Sequence, residues 1–179
     1  MLDQIQTFTD VFEEDDFEKA HDYCLKEKWG FQVSSDDFPY RKFLIMNLND
    51  KFFTQKLFNV IQDRIGGDYK IERVYLNAQY FGMPGAPHYD SDEPNRYTFL
   101  VYMNRDWNIL WSGHTIFFDR HIDVETKEVV MNSKEHKSFF PTKNLGLLFP
   151  GNMYHYAESP SKDCGEFRLT LAYKLEKLS

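Results

Sequence analysis

The chain has 179 residues and a formal net charge of −7, from 21 Lys+Arg against 28 Asp+Glu. Phe, Tyr and Trp make up 17% of it, too aromatic for a disordered segment, and its length is enough to bury a core without staples. The acidic balance weighs against a generic nucleic-acid binder, whose main task is to neutralise phosphates.

No apolar run approaches the roughly 18 to 20 residues of a membrane span. The start, Met1-Leu2-Asp3-Gln4, lacks the basic-then-apolar order of a signal peptide. Cys24 and Cys164 are too few for a disulfide framework and match no zinc spacing. They read as free thiols of a reducing compartment, which predicts a cytoplasmic protein without a membrane partner.

In chain order, Asp10–Lys28 predicts a helix. Phe12, Phe17, Ala20, Tyr23, Cys24 and Leu25 recur at helical spacing, with acids first and lysines last, as the helix dipole favours. Gly30 is the expected stop. A second helix is predicted over Asp50–Ile65, with Phe53, Leu57, Val60, Ile61 and Ile65 on one stripe and Gly66-Gly67 ending it. Residues 1–70 thus read as a helical support region and 71–179 as a separate β layer of one domain. The predicted strands are Lys70–Phe81, Pro87–Asp90, Thr98–Asn104, Thr115–Asp119, Glu128–Asn132, Gly146–Phe149, Met153–Glu158 and Phe167–Leu175. Short strands split by turns predict a sandwich or barrel. Ser91–Arg96 and the polar stretch Arg120–Asn144 are the expected long loops.

His88-Tyr89-Asp90 carries the first chemical signal. Residues i and i+2 of a strand share a face, about 6 to 7 Å apart at the backbone, so both side chains reach one metal ion. His155, just after the turn Pro150-Gly151-Asn152, supplies a third ligand from another strand. Two histidines and one carboxylate on one side of a metal leave the other side open, which suits Fe(II). Arg168 sits in the apolar, alternating strand Phe167-Arg168-Leu169-Thr170-Leu171-Ala172-Tyr173, where a buried charge needs a partner. A hairpin centred on Ser161-Lys162 would make it a cross-strand neighbour of His155. Its guanidinium would then suit the far carboxylate of a metal-bound dicarboxylate.

Taken together, Gln79-Tyr80-Phe81-Gly82, His88-Tyr89-Asp90, Val101-Tyr102-Met103-Asn104 with Trp107, Trp111-Ser112-Gly113-His114-Thr115-Ile116-Phe117-Phe118, Leu147-Leu148-Phe149-Pro150 with His155, and Arg168 stand in a familiar order. Val74 to Lys174 resembles the catalytic core of the Fe(II)/2-oxoglutarate-dependent dioxygenases, and among them the prolyl 4-hydroxylase group. The similarity spans about 100 of the 179 residues. Two departures stand out. His114 replaces the usual second Gly and is expected to crowd or retune its strand. The step of 13 from His155 to Arg168 is a little longer than common.

The resemblance implies an α+β, mainly β fold: a double-stranded β-helix, jelly-roll and cupin-like, with N-terminal supporting helices. It implies Fe(II) on His88, Asp90 and His155, and 2-oxoglutarate held by Arg168 with Tyr102. Tyr80 is expected at the cosubstrate or lining the pocket. Thr170, two residues from Arg168, faces the same side. O2 is the co-oxidant and ascorbate a further cofactor. The implied reaction is C–H hydroxylation with release of succinate and CO2. The substrate is a prolyl residue in a peptide or protein, or free proline or another amino acid. A nucleic-acid oxygenase and a cupin-like binder without turnover remain as alternatives, and oligomeric state stays open. His121-Ile122-Asp123, a second His-x-Asp, lacks the strand context of the first.

Overall fold

The computed structural model describes residues 1–26, 28–33 and 39–178. Position 27, within the expected first helix, lies outside the described residues. Ten strands, β1 (Gln6–Phe8), β2 (Gly30–Val33), β3 (Lys42–Asn47), β4 (Tyr69–Gln79), β5 (Arg96–Tyr102), β6 (Thr115–Ile122), β7 (Val129–Phe139), β8 (Gly146–Pro150), β9 (Met153–Ala157) and β10 (Arg168–Lys177), form two sheets. The large sheet runs β1-β8-β5-β10-β4-β3-β2 and the small one β7-β6-β9. Every pairing is antiparallel, and the two sheets make a jelly roll.

Period-2 alternation sorts the large sheet into two faces. From β10, Leu169, Leu171, Tyr173 and Leu175 join Val74, Leu76 and Ala78 of β4 and Phe99 and Val101 of β5 in one core. Helix α1 (Glu14–Lys26) covers that core with Phe17, Ala20 and Cys24, which recur at steps of three and four. A stretch of π-type turns (Phe52–Leu57) continues as α2 (Phe58–Ile65) and adds Phe53, Leu57 and Ile61. The Tyr173 hydroxyl donates to the Phe53 carbonyl at 3.0 Å and ties helix to sheet. The opposite face carries Arg168, Thr170, Ala172 and Lys174 of β10, and looks toward the small sheet.

Four expectations need correction. The first 70 residues are not only helical support, because β1, β2 and β3 are strands of the large sheet. Gly30 opens β2 rather than ending α1. The polar stretch Arg120–Asn144 is not a loop, since β6 and β7 pair through much of it. Pro87–Asp90 forms no strand; it meets β9 through the isolated bridge His88–His155. Gly66 does end α2, with φ 65°. Both cysteines are free and buried. No helix among the described residues is long and apolar enough to cross a membrane.

Where β8 meets α1's lead-in, a close approach requires glycine. A Cβ on Gly146 would stand 2.7 Å from Val11 Cγ2 and 2.8 Å from Phe99 Cζ. Gly146→Ala is expected to cost about 1–3 kcal/mol, the usual range for overpacking, read as a lower urea midpoint. An unchanged midpoint would mean that Val11 and Phe99 give way freely.

Candidate active site

His88 and His155 are set side by side by the backbone. The His88 N–H donates to the His155 carbonyl at 2.9 Å, and the His155 N–H to the His88 carbonyl at 3.0 Å. The Asp90 N–H donates to the Gly151 carbonyl at 2.8 Å, so the turn before β9 fixes the third residue. One ligating atom from each of His88, Asp90 and His155 falls within 4.8 Å of the others. It is the one group of three or more such side chains among the described residues. The second His-x-Asp is not part of a cluster. Asp123 there accepts from the backbone N–H groups of Glu125 and Thr126 and closes a turn.

The ring tautomers follow from the backbone. His88 Nδ1 lies 2.8 Å from the Ala86 carbonyl, and His155 Nδ1 lies 2.9 Å from the Met153 carbonyl. A carbonyl only accepts, so both Nδ1 atoms carry hydrogen and neutral rings present Nε2 lone pairs. His88 Nε2 faces Asp90 Oδ1 at 3.1 Å. A lone pair and a carboxylate oxygen at that distance repel unless a proton or a cation lies between them. The donor set therefore fits a divalent cation, with Nδ1–H anchored as metal-binding histidines require.

Burial presses the His155 ring down to about 4, against the pull of Asp90. Burial works to raise the Asp90 carboxyl, but Lys174, His155 and His88 outweigh it and hold it well below the usual carboxylate range. Lys174 is the mirror case: burial disfavours its ammonium, and Asp90 with Tyr75 holds it above its ordinary value.

The His155 shift has a stability consequence. Its folded value, about 4, lies below the ordinary 6.5, so the unfolded chain binds the extra proton. Stability of the metal-free protein is thus fully present above 6.5 and falls with pH toward 4. Between about pH 7 and about pH 5 the loss from this ring is on the order of 2 kcal/mol. Urea unfolding at the two pH values measures it, and His155→Gln should flatten the slope.

At the start of β10, Arg168 is 1% exposed. Its Nε donates to the Gly113 carbonyl at 2.5 Å, Nη1 to Gln79 Oε1 at 2.9 Å and Nη2 to Thr115 Oγ1 at 2.7 Å. All three acceptors are neutral, and no carboxylate pairs with the guanidinium among the described residues. Tyr102 is fully buried beneath it, with the Arg168 Cζ 5.3 Å from the ring centroid and the hydroxyl 2.6 Å from Thr115 Oγ1. Gly113, φ +81°, lets the chain pass: a Cβ there would meet Trp107 at 3.1 Å and Arg168 at 3.3 Å. His114 does not crowd the pocket; it turns to Glu158 at 3.2 Å and to the Phe140 ring.

A cavity of about 140 Å³ joins the two ends, lined by His88, His155, Thr115, Thr170 and Arg168 among others. Tyr80 is not brought to it: that side chain is 37% exposed and packs on Phe167, while its neighbour Gln79 lines the pocket instead. The expected hairpin is also absent. Strand β9 pairs with β6 in the small sheet and β10 with β4 and β5 in the large one, so His155 and Arg168 face each other across the sandwich. Residues not foreseen include Gln79, Thr115, Thr98 and Lys174. Lys174 was legible by the alternation that marks Arg168, being six residues along the same face.

No protein-family model matches the sequence, and no curated protein does. Solved structures match over nearly the whole chain. An oxidoreductase of the 2OG-Fe(II) oxygenase family from Burkholderia pseudomallei superposes with TM-score 0.72 at 9% identity, over 98% of this chain and 86% of that one. A Pseudomonas putida prolyl-4-hydroxylase gives 0.67 at 12%, over 98% and 93%. A Trichoplax adhaerens prolyl hydroxylase, in complex with a hypoxia-inducible-factor peptide fragment, gives 0.68 at 13%, over 97% and 84%. The fold is that of the 2-oxoglutarate–Fe(II) oxygenases. The same oxygenase fold also serves an epimerase and a carbocyclase of nogalamycin biosynthesis, so fold alone does not name a reaction.

Proposed function

We propose that this chain is an Fe(II)- and 2-oxoglutarate-dependent dioxygenase that hydroxylates an aliphatic C–H. One observation carries the reading: both histidines of a His-Asp-His cluster and a buried guanidinium without an anionic partner line one pocket. An uncompensated buried cation is costly, and a bound carboxylate offsets that cost. His88 Nε2, Asp90 and His155 Nε2 would hold the iron, while Arg168, with Tyr102 and Thr115 beside it, would bind the far carboxylate of 2-oxoglutarate. When bound, iron and cosubstrate supply the oxidising chemistry, with succinate and CO2 as coproducts. The chain's own part is to orient both and to exclude water, with Phe117 and Phe149 packed on the His155 ring. Thr170, which lines the same pocket, would contact the cosubstrate.

A prolyl residue in a peptide or protein is the first substrate class. Two prolyl hydroxylases of this fold support it, one of them in complex with a peptide. Free proline or another amino acid follows. The test is anaerobic addition of Fe(II) and 2-oxoglutarate, which should give a weak visible charge-transfer band that His88→Ala abolishes. Bound iron without the band would overturn the cosubstrate assignment. In air, succinate release across a peptide and amino-acid screen, with product mass, reads the substrate. The same assay with and without ascorbate reads that dependence.

A further inference from the structure

The metal-facing cluster has a fourth member. Lys174 Nζ forms an ion pair with Asp90 Oδ2 and donates to Thr98 Oγ1 at 3.0 Å, and Thr98 Oγ1 donates to the same Asp90 Oδ2 at 2.5 Å. Strand pairing, not side-chain reach alone, builds this triangle, because Lys174 lies opposite Thr98 in the β10–β5 register. The Asp90 side chain is 5% exposed and that of Lys174 21%. Thus Oδ2 accepts from two donors and lies 3.7 Å from His155 Nε2, while Oδ1, with neither donor on it, is turned toward His88 Nε2 at 3.1 Å.

We infer that Lys174, with Thr98, is a positioning residue that clamps the outer oxygen of Asp90, so that the carboxylate offers a metal one oxygen and shares its charge with an ammonium. The inference rests on the metal-site reading above. Two consequences follow from charge and geometry. A one-oxygen carboxylate leaves a coordination position open that a two-oxygen carboxylate would fill. A fixed positive charge behind the ligand opposes loss of an electron from the metal, so Fe(II) is favoured over Fe(III). A merely structural ion pair would hold the strands together and do neither.

The experiment compares wild-type protein with K174M, K174R and T98V, each loaded anaerobically with Fe(II), in a mediated redox titration. K174M should shift the Fe(III)/Fe(II) midpoint downward. K174R, which keeps the charge, should stay near wild type, and T98V should fall between. Co(II) loading gives the second reading: K174M should lose visible d–d intensity as the freed carboxylate closes on the metal with both oxygens. Should K174M not fold, T98V alone carries the test in both measurements. Wild-type midpoint and Co(II) spectrum in K174M and T98V would overturn the clamp. A wild-type chain that binds neither Fe(II) nor Co(II) at His88, Asp90 and His155 would instead overturn the metal-site reading itself, and the clamp with it.

Discussion

Arg168→Met is expected to remove 2-oxoglutarate binding while leaving the metal in place. Truncating one partner of a buried, hydrogen-bonded charge pair costs about 2–5 kcal/mol. At about 1.4 kcal/mol per tenfold, the cosubstrate affinity should fall by roughly 30-fold to several thousand-fold. Fold stability should move far less, because two effects oppose. The variant deletes a buried cation that has no acidic partner, and it also strips a donor from Gly113 O, Gln79 Oε1 and Thr115 Oγ1. Arg168→Lys keeps the charge but not the planar fork, so it should recover only part of the affinity. Anaerobic titration calorimetry on the Fe(II)-loaded protein measures all three. Wild-type affinity in Arg168→Met would take the cosubstrate away from this end of the pocket.

That variant bears on what a sequence can disclose. Arg168 was legible because a charge in the alternating strand Leu169–Leu175 has to face something other than the apolar core. The alternation is equally plain from the structure's side, since Leu169, Leu171 and Tyr173 are buried against the helices. Its neighbours across the sandwich were not legible. Chain order suggested a hairpin between β9 and β10, yet the segment 158–167 carries the chain from one sheet to the other. Nothing local distinguishes a wide turn from a crossover. The strands β1 and β3 failed for a related reason. Gln6–Phe8 is three residues long, and Lys42–Asn47 reads as a short apolar run with no clear period. Both are strands because partners exist: β8 for the first and β4 for the second. Tyr80 shows the limit of a motif taken alone. The resemblance placed a tyrosine at the pocket, but Tyr75, Asn77 and Gln79 alternate onto that face of β4, so the next residue, Tyr80, falls off it and packs on Phe167.

Asp90→Ala should both empty the metal site and destabilise the metal-free protein, and the second effect is the more telling. Breaking a buried ion pair from one side leaves the other charge without compensation, at a cost of about 3–5 kcal/mol. Here the stranded group is Lys174, whose ammonium would keep Thr98 Oγ1 as acceptor but lose its carboxylate. Asp90→Asn should cost less, since its amide oxygen still accepts from Thr98 and Lys174. Neither variant should hold Fe(II), because the anionic ligand is gone from both. The double variant Asp90→Ala with Lys174→Met removes both charges and should regain most of the loss, as replacing a whole buried pair by apolar groups is often near neutral. Urea unfolding of wild type, Asp90→Ala, Lys174→Met and the double variant, all metal-free, closes the cycle, and a coupling energy of about 2 kcal/mol or more is expected for residues in contact. A coupling near zero would mean that the lysine finds water in place of the carboxylate, and the site would then owe its assembly to the metal rather than to the fold.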